Sequence, residues 1–272
     1  MRPWRFWNWL TKRIKLVVAY DGTDFCGWAA QTGRRTVQGT LKDAVRQVSG
    51  EDCEIVGASR TDSGAHARGQ VCHFDTEVGI EPERWAQALS RVLPSDAAVV
   101  SSKAVPEAFH SRFCAVDRFY RYRIWNAERD PFEERTAQGW RTPLDERAMQ
   151  VAATVLVGEH DFLAFTEELA PHVKNTVRTL FSVGVKRIGR EVRIEVVGTA
   201  FLRGMMRRIS GGLLEVGRGL REPETIGALL THDGRSSTPW PEVLPARGLT
   251  LMRVRYGRVL RDSRGEMEDE AS

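Results

Sequence analysis

Two kinds of apolar spacing alternate along this chain, and their order limits it to a fold that combines helices with a sheet. Apolar side chains recur at every second residue from Ile14 to Tyr20, which predicts a β-strand. From Val37 to Val48 they follow helical spacing, and Gly50 suits the end of that helix. The other predicted elements of the first half are a strand that begins at 54–56 and continues at 70–76, a helix that begins at Pro82, and a strand at 97–103.

The second half follows a similar order. Arg118–Trp125 alternates as a strand does, and Asp145 is a good N-cap for a helix that carries Met149 and Leu156. The remaining predicted elements are strands at 179–187, 191–197 and 249–256 and a helix at about 204–217. Strands interleaved with two helices per half favour an α+β fold with two halves of ferredoxin-like type and a boundary near residues 105–117.

Length and charge permit many functions. The chain has 272 residues, which is enough for two domains or one large one, and 42% of them are hydrophobic. Forty Lys and Arg residues stand against 36 Asp and Glu residues, so the formal net charge is +4. This balance permits a nucleic-acid partner without requiring one, because the net charge does not show whether the arginines gather on one face.

The cysteines and the apolar segments favour a cytoplasmic location. Cys26, Cys53, Cys72 and Cys114 form no Cys-x-x-Cys pair and no common zinc-site spacing, so we expect free thiols in a reducing compartment. No apolar run approaches the ~18 residues of a membrane span.

The two ends of the chain are unusual in composition. Residues 1–13 alternate tryptophan and phenylalanine with arginine and lack the apolar core of a signal peptide, so we expect a flexible N-terminal extension. Residues 259–272 are rich in acidic side chains, which predicts a disordered tail.

Residues 57–74 are the segment that says most about the function of the chain. Asp62 lies in a segment of turn-forming residues, with Arg60 and Arg68 on either side. Arginines attract phosphate groups and keep a nearby carboxylate ionised, so this acid is placed to meet an anionic substrate. Composition alone favours a simpler interpretation, in which Asp62 caps the next element from a solvated turn.

The order of residues in this segment is more specific than its composition. Arg-Thr-Asp-x-Gly-x-His-x-x-Gly-Gln resembles the active-site motif of the TruA-type tRNA pseudouridine synthases. Further segments resemble that family in the family's order, over roughly residues 14–256: Tyr20–Trp28, Phe109–Phe113 with Arg118–Tyr122, Ala200–Gly211 and Leu244–Leu251. Ser59 departs from the pattern, because the family usually has glycine there.

The resemblance implies a specific architecture. We expect two ferredoxin-like (RRM-like) halves whose antiparallel sheets join into one larger sheet, with helices on one face and a basic cleft between the halves. The first half would span residues 14–110 and carry the Asp62 loop. The second half would span residues 111–258.

The resemblance also implies roles for three side chains. Asp62 would be the nucleophile that converts uridine into pseudouridine, since a carboxylate can both attack and leave. Arg207 would pair with Asp62, although a solvated helix arginine is the simpler interpretation of that residue. Tyr120 would stack on the detached uracil; from its strand position alone it would be a half-buried strand tyrosine. Tyr122, on the same face of that strand, is expected to belong to the core.

The remaining candidates are arginines that could contact RNA. Arg60 would fill the space of the extruded base and hold a phosphate, or it would form a structural salt bridge. Arg203 and Arg208 are candidates for phosphate contacts, as are Arg34, Arg35 and Arg218, and each alone is an ordinary surface charge.

The function implied by the resemblance is the modification of uridines 38–40 in the anticodon stem-loop of tRNA. The enzyme would be a homodimer and would need no metal and no organic cofactor. Three alternatives remain open from the sequence: a non-catalytic RNA-binding protein of the same fold, a pseudouridine synthase with another RNA target, and a carbohydrate hydrolase. The last class needs two carboxylates around the scissile bond, and nothing in the sequence pairs Asp75 or Glu77 with Asp62.

Overall fold

A computed structural model describes residues 11–166 and 175–257. The predicted tail at 259–272 lies outside these residues, as does all but the end of the predicted extension at 1–13. The strands are β1 (Lys12–Tyr20), β2 (Val56–Gly57), β3 (His66–Thr76), β4 (Ala97–Val105), β5 (Ala115–Trp125), β6 (Gln138–Gly139), β7 (Gly158–Asp161), β8 (Val177–Ile188), β9 (Glu191–Gly198) and β10 (Leu249–Tyr256). The α-helices are α1 (Val37–Ser49), α2 (Trp85–Ser90), α3 (Glu146–Thr154), α4 (Met205–Gly217), α5 (Glu224–Ala228) and α6 (His232–Ser237), and short 3-10 turns lie at Pro82–Arg84, Leu163–Phe165 and Ala246–Gly248.

Within the described residues, one sheet of ten strands runs through the molecule. The main order is β4-β1-β3-β10-β5-β9-β8-β7, while β2 pairs with β3 and β6 pairs with β5. Neighbouring strands are antiparallel except for β3 with β10 and β5 with β6. The predicted α+β class is therefore confirmed, as one large mixed sheet with helices. None of the helices in the described ranges combines the length and apolar character that a membrane crossing requires.

Local signals set the helix ends. The side chain of Thr36 accepts a hydrogen bond from the Gly39 N–H at the start of α1, and Gly50 ends that helix with a φ of 77°. The side chain of Asp145 accepts hydrogen bonds from the N–H groups of Arg147 and Ala148, which confirms its predicted role as N-cap of α3.

The core lies between the helices and one face of the sheet. Ile14, Leu16 and Val18 alternate with less buried neighbours along β1 and are fully buried. The ring of Phe74 on β3 meets the edge of the Trp85 ring of α2 at 5.0 Å between centroids. Burial of such side chains stabilises the fold by ~1.5–3 kcal/mol each.

Strand β3 begins four residues earlier than the sequence predicts. His66 and Ala67 pair in parallel with Thr250 and Leu251 of β10, so half of the motif at 57–74 is sheet and not loop. The prediction placed this strand from Gln70 because pairing with a segment almost two hundred residues away leaves no local pattern. The short elements β6, β7, α5 and α6 were not predicted either, since they are too short to show a period.

The end of β1 lies directly against the Asp62 loop. A Cβ atom on Gly22 would overlap the carbonyl oxygen of Ala65. The N–H of Gly22 also donates to Nδ1 of His66 at 3.0 Å. Only glycine permits this approach of two backbones, which fixes the loop to the sheet.

We predict that Gly22→Ala destabilises the protein by about 1–3 kcal/mol, because one of the two backbones must move. Gly79→Ala is the matched control, since a Cβ atom there meets nothing within 4 Å and should change stability by less than about 0.5 kcal/mol. Unfolding in urea measures both free energies. Equal stability of the two variants would contradict the close packing at Gly22.

Candidate active site

Asp62 lies in the loop between β2 and β3, and the loop backbone is held by the segment that follows β1. The N–H of Trp28 donates to the carbonyl of Thr61 at 3.1 Å, and the N–H of Gly64 donates to the carbonyl of Phe25 at 3.3 Å. Gly64 has a φ of 82°, a conformation that glycine adopts without strain. The carboxylate therefore projects from a fixed backbone.

Arg207 contacts Asp62 from the other half of the chain. Its Nη1 lies 3.1 Å from Oδ2 of Asp62, and its Nε donates to the carbonyl of Leu244 at 2.6 Å. The side chains of Asp62 and Arg207 are 27% and 18% exposed, so the pair is sheltered but open to a ligand. The second acceptor fixes the plane of the guanidinium beside the carboxylate.

Tyr120 lies on β5 with its ring buried and its hydroxyl on the loop. Its Oη lies 2.8 Å from Oγ of Ser59, and the ring of Phe201 meets it edge-on at 4.8 Å between centroids. Burial raises the pKa of Tyr120 to about 12, and the negative charge of Asp62 acts in the same direction. The phenol is therefore protonated at neutral pH, and it neighbours the Asp62 carboxylate.

A neutral polar network supports the loop from below. Oη of Tyr20 lies 2.8 Å from Oγ1 of Thr61, and Nε2 of Gln70 donates to the carbonyl of Ser59 at 2.6 Å. Gln70 is completely buried. Gln70 therefore fixes the backbone before Arg60.

His66 joins three segments as a neutral ring. Its Nδ1 accepts the N–H of Gly22 at 3.0 Å, and its Nε2 donates to the carbonyl of Arg247 at 3.0 Å. Burial lowers the pKa of His66. Oδ1 of Asp21 lies 3.2 Å from Nδ1, but this contact is no ion pair because Nδ1 carries no proton.

Tyr122 and Arg118 flank Tyr120 on the same face of β5. Tyr122 is fully buried, as predicted, and its hydroxyl donates to the carbonyl of Pro245 at 2.8 Å. Arg118 is also buried, and its Nη2 donates to the carbonyls of Ala58 and Arg112 at 3.2 and 2.8 Å. No role was predicted for Arg118, although a charged residue on the apolar face of a strand is a signal that it meets buried acceptors.

The other candidate arginines lie around this pair, and their roles remain predictions. Arg60 is exposed on the Asp62 loop, and Arg203 is exposed just before α4. Arg208 is half-buried, and its Nη1 donates to the carbonyl of Pro241 at 2.9 Å. Arg35 differs from them, because it forms a salt bridge with Asp96 at 2.8 Å and lies over the ring of Phe25.

A cavity of about 650 Å³ lies elsewhere and does not suit RNA. Its acidic lining residues are Glu51, Asp52, Glu54, Asp75 and Glu77. Such a lining repels phosphate groups. The cavity surrounds the Asp75 end of β3, a strand of 11 residues. At about 3.3 Å per residue, this end lies roughly 30 Å from the His66 end of the strand. Asp75 is also bound to Arg13 at 2.7 Å, so it does not form a carboxylate pair with Asp62.

Comparison with known proteins identifies relatives along nearly the whole chain. A family model described as tRNA pseudouridine synthase matches residues 16–114 and 152–257. The tRNA pseudouridine synthase A of Brevibacillus brevis is 42% identical over 246 residues, which cover 90% of this chain and 100% of the relative. Proteins of the same name from Maridesulfovibrio salexigens and Geobacillus kaustophilus are 39% and 40% identical, cover 90% and 91% of this chain, and are themselves covered over 91% and 95% of their length.

Among solved structures, a chain of a Cbf5-Nop10-Gar1 complex aligns with a TM-score of 0.31 at 11% identity, over 74% of this chain and 54% of that chain. A similarity this weak does not bear on the fold. The full-length relatives confirm the resemblance that the sequence motifs indicated.

We predict that the neutral state of His66 makes stability depend on pH. The unfolded chain protonates this histidine near its ordinary pKa of 6.5, whereas burial lowers the pKa in the folded state. The unfolded state therefore binds more protons below pH 6.5, and the free energy of unfolding falls as the pH decreases, by at most about 1.4 kcal/mol per pH unit for one group.

Urea unfolding between pH 7 and pH 5 measures this dependence. His66→Asn, whose amide oxygen can still accept the Gly22 N–H, should show a smaller fall than the wild type. His232→Asn is the control, since the His232 side chain is 88% exposed and should not affect the slope. The same slope in all three proteins would show that His66 is not kept neutral by the fold.

Proposed function

The chain belongs to the tRNA pseudouridine synthase family, and from this premise we propose that it isomerises uridines 38–40 in the anticodon stem-loop of tRNA, with Asp62 as the nucleophile. The observation that carries the proposal is the contact of 3.1 Å between Asp62 and Arg207. This contact joins the carboxylate of the Asp62 loop to an arginine of α4. Both the loop and the start of α4 match the family motifs.

The reaction needs a group that can attack and then leave. The bond between ribose C1′ and uracil N1 breaks, a bond between C1′ and C5 forms, C5 loses a proton and N1 gains one. The atoms therefore balance without any oxidant or reductant. An ionised carboxylate can form such a transient bond. The Asp62 carboxylate would be the acting group in each of three routes, in which it attacks the ribose, attacks the base or first deprotonates the sugar.

Arg207 would act through the charge and orientation of Asp62. Its Nε is held by the carbonyl of Leu244 at 2.6 Å, so Nη1 keeps its direction when substrate enters. An oriented guanidinium stabilises the negative carboxylate both before attack and after release.

Tyr120 would contact the uracil while the base is detached. The phenol is close enough to Asp62 for the carboxylate charge to affect its pKa, and Phe201 and Ser59 fix its ring and its hydroxyl. A fixed ring limits the loss of a free base from the site, since stacking contributes ~1–3 kcal/mol per base.

Arg60, Arg203 and Arg208 would bind the RNA around the extruded nucleotide. Arg60 lies two residues before Asp62 and is exposed, so it can enter the space that the target base leaves. Arg203 and Arg208 lie at the start of α4 beside Arg207, where they would meet phosphates.

The strand order supports two ferredoxin-like halves, residues 14–110 and 111–258, with a basic cleft between them. Counted within each half, and with the short strands β6 and β7 left out, β4-β1-β3-β2 and β10-β5-β9-β8 follow the same 4-1-3-2 order with antiparallel neighbours. In the first half the second strand, β2, has only two residues. The remaining edge of β3 is free to pair with β10, and this pairing joins the halves.

The assembly and location belong to the same proposal. We expect a homodimer, in which one tRNA contacts both subunits, and a cytoplasmic enzyme. All four cysteines are free thiols, which suits a reducing compartment.

Transcribed, unmodified tRNA tests the function directly. After incubation the tRNA is treated with carbodiimide, and reverse transcription of the treated RNA should stop at positions 38–40. A transcript with cytidine at those positions should give no stop there. Absence of product at enzyme concentrations above that of the tRNA would favour a non-catalytic RNA-binding protein. Product at other positions, or only in another RNA, would favour a synthase with a different target.

We predict that Asp62→Asn abolishes product formation, because the amide cannot form the transient bond. The rate should fall by about 1,000-fold or more, as expected for the loss of a nucleophile. Binding of tRNA, measured by filter retention, should stay within about threefold of the wild type. Asp75→Asn is the matched control, since that carboxylate pairs with Arg13 at the other end of β3 and should leave the rate unchanged. Measurable turnover by the Asp62→Asn protein would exclude Asp62 as the nucleophile.

We also predict that tRNA binding weakens steeply with salt, because each phosphate contact releases counterions. Arg60→Gln and Arg203→Gln should each reduce the slope of log Kd against log salt by about one. Arg129→Gln is the control, since the Arg129 side chain is 70% exposed next to Glu134 in another part of the chain. Slopes that do not differ among the three variants would argue against RNA contact at Arg60 and Arg203.

A further inference from the structure

The hydroxyl of Ser59 contacts the phenol of Tyr120. Its Oγ lies 2.8 Å from Oη of Tyr120, and Ser59 itself is half-buried. We propose that Ser59 is a positioning residue that directs the Tyr120 hydroxyl and relays its proton when C5 of the uracil loses hydrogen. This inference rests on the proposed function and adds a positioning residue to it.

The position of the Ser59 hydroxyl is fixed by its backbone. Nε2 of Gln70, a completely buried side chain, donates to the carbonyl of Ser59 at 2.6 Å. The preceding residue, Ala58, donates its N–H to Val71 at 2.8 Å and accepts a hydrogen bond from Nη2 of Arg118 at 3.2 Å. Contacts on both sides of the Ser59 peptide therefore hold the hydroxyl in place.

The ring of Tyr120 is fixed as well. Its strand is paired on both sides, with Val196 of β9 and Leu251 of β10 as the opposite residues. Phe201 packs edge-on against the ring. The main freedom left to the phenol is rotation of its O–H bond, and a hydroxyl partner at 2.8 Å decides where that bond points.

The chemistry gives this hydrogen bond a task. Once C5 is bonded to C1′, the C5–H bond breaks and its electron pair restores the double bond between C5 and C6. Burial keeps the Tyr120 phenol protonated, so its oxygen can accept the C5 proton only if its own proton leaves. That proton would pass to Oγ of Ser59, and the serine hydroxyl would release one to solvent water, so each oxygen ends with the protons it began with.

Three substitutions at one position separate this role from a packing role. Ser59→Ala removes the hydroxyl and leaves a methyl group that keeps water out. Ser59→Gly removes the hydroxyl and leaves room for a water molecule, which can take over the hydrogen bond. Ser59→Thr keeps the hydroxyl. The expected order of rates is therefore wild type and Thr, then Gly, then Ala.

Single-turnover conversion of tRNA that carries protium or deuterium at C5 of the target uridines provides the test. Ser59→Ala should convert the substrate about tenfold more slowly, on the scale of one lost hydrogen bond, with an increased C5 isotope effect and unchanged tRNA binding. Ser59→Thr should restore the rate to within about twofold and return the isotope effect to that of the wild type.

Each outcome of this experiment is decisive. A wild-type rate in Ser59→Ala, or a slower rate with an unchanged isotope effect, would overturn the relay while the proposed function stands, because the wild type still makes pseudouridine. A Thr variant as slow as the Ala variant would also overturn it. A wild-type enzyme that makes no pseudouridine would overturn the proposed function and the relay together.

Discussion

The contact between Asp62 and Arg207 depends on the way the two halves of the sheet are joined. The acid lies on the loop before β3, and the arginine lies on α4, which precedes β10. Pairing of β3 with β10 through His66 and Ala67 brings these two segments to the same end of the sheet. The side chains of Asp62 and Arg207 are 27% and 18% exposed, so the carboxylate is oriented by the arginine and stays open to a ligand.

The loop that carries Asp62 occupies the place of a longer second strand. In the second half, β8 supplies a full strand at the equivalent place in the order, whereas β2 has two residues. A loop at this place lacks the ladder of hydrogen bonds that a strand would have, and its buried backbone groups need other partners. Gln70, Trp28 and Arg118 supply them to Ser59, Thr61 and Ala58. These polar groups therefore take the place of the ladder hydrogen bonds that the loop lacks.

The sequence predicted the elements well where a local period exists. Alternation gave β1 and β9 nearly to the residue, and Thr36, Gly50 and Asp145 mark helix ends by local hydrogen bonds. The contact of Asp62 with Arg207 spans 145 residues, and no spacing could have indicated it without the resemblance to a family. For His66 and Gln70 the motif suggested only that they shape the loop, because their partners, the Arg247 carbonyl for His66 and the Ser59 carbonyl for Gln70, meet them only in the folded chain.

The arginines of this chain differ in what they contact, and that difference explains why net charge was a poor guide to function. Arg13, Arg35 and Arg135 are bound to aspartates on the first half, so their charges are compensated within the protein. Arg60 lies on the Asp62 loop and Arg203 lies just before α4, and both residues are exposed. Beneath them, burial keeps Tyr120 protonated and His66 neutral, while the buried guanidinium of Arg118 donates to the carbonyls of Ala58 and Arg112. Net charge counts the compensated, the buried and the exposed arginines alike, although only the exposed ones present their charge to solvent.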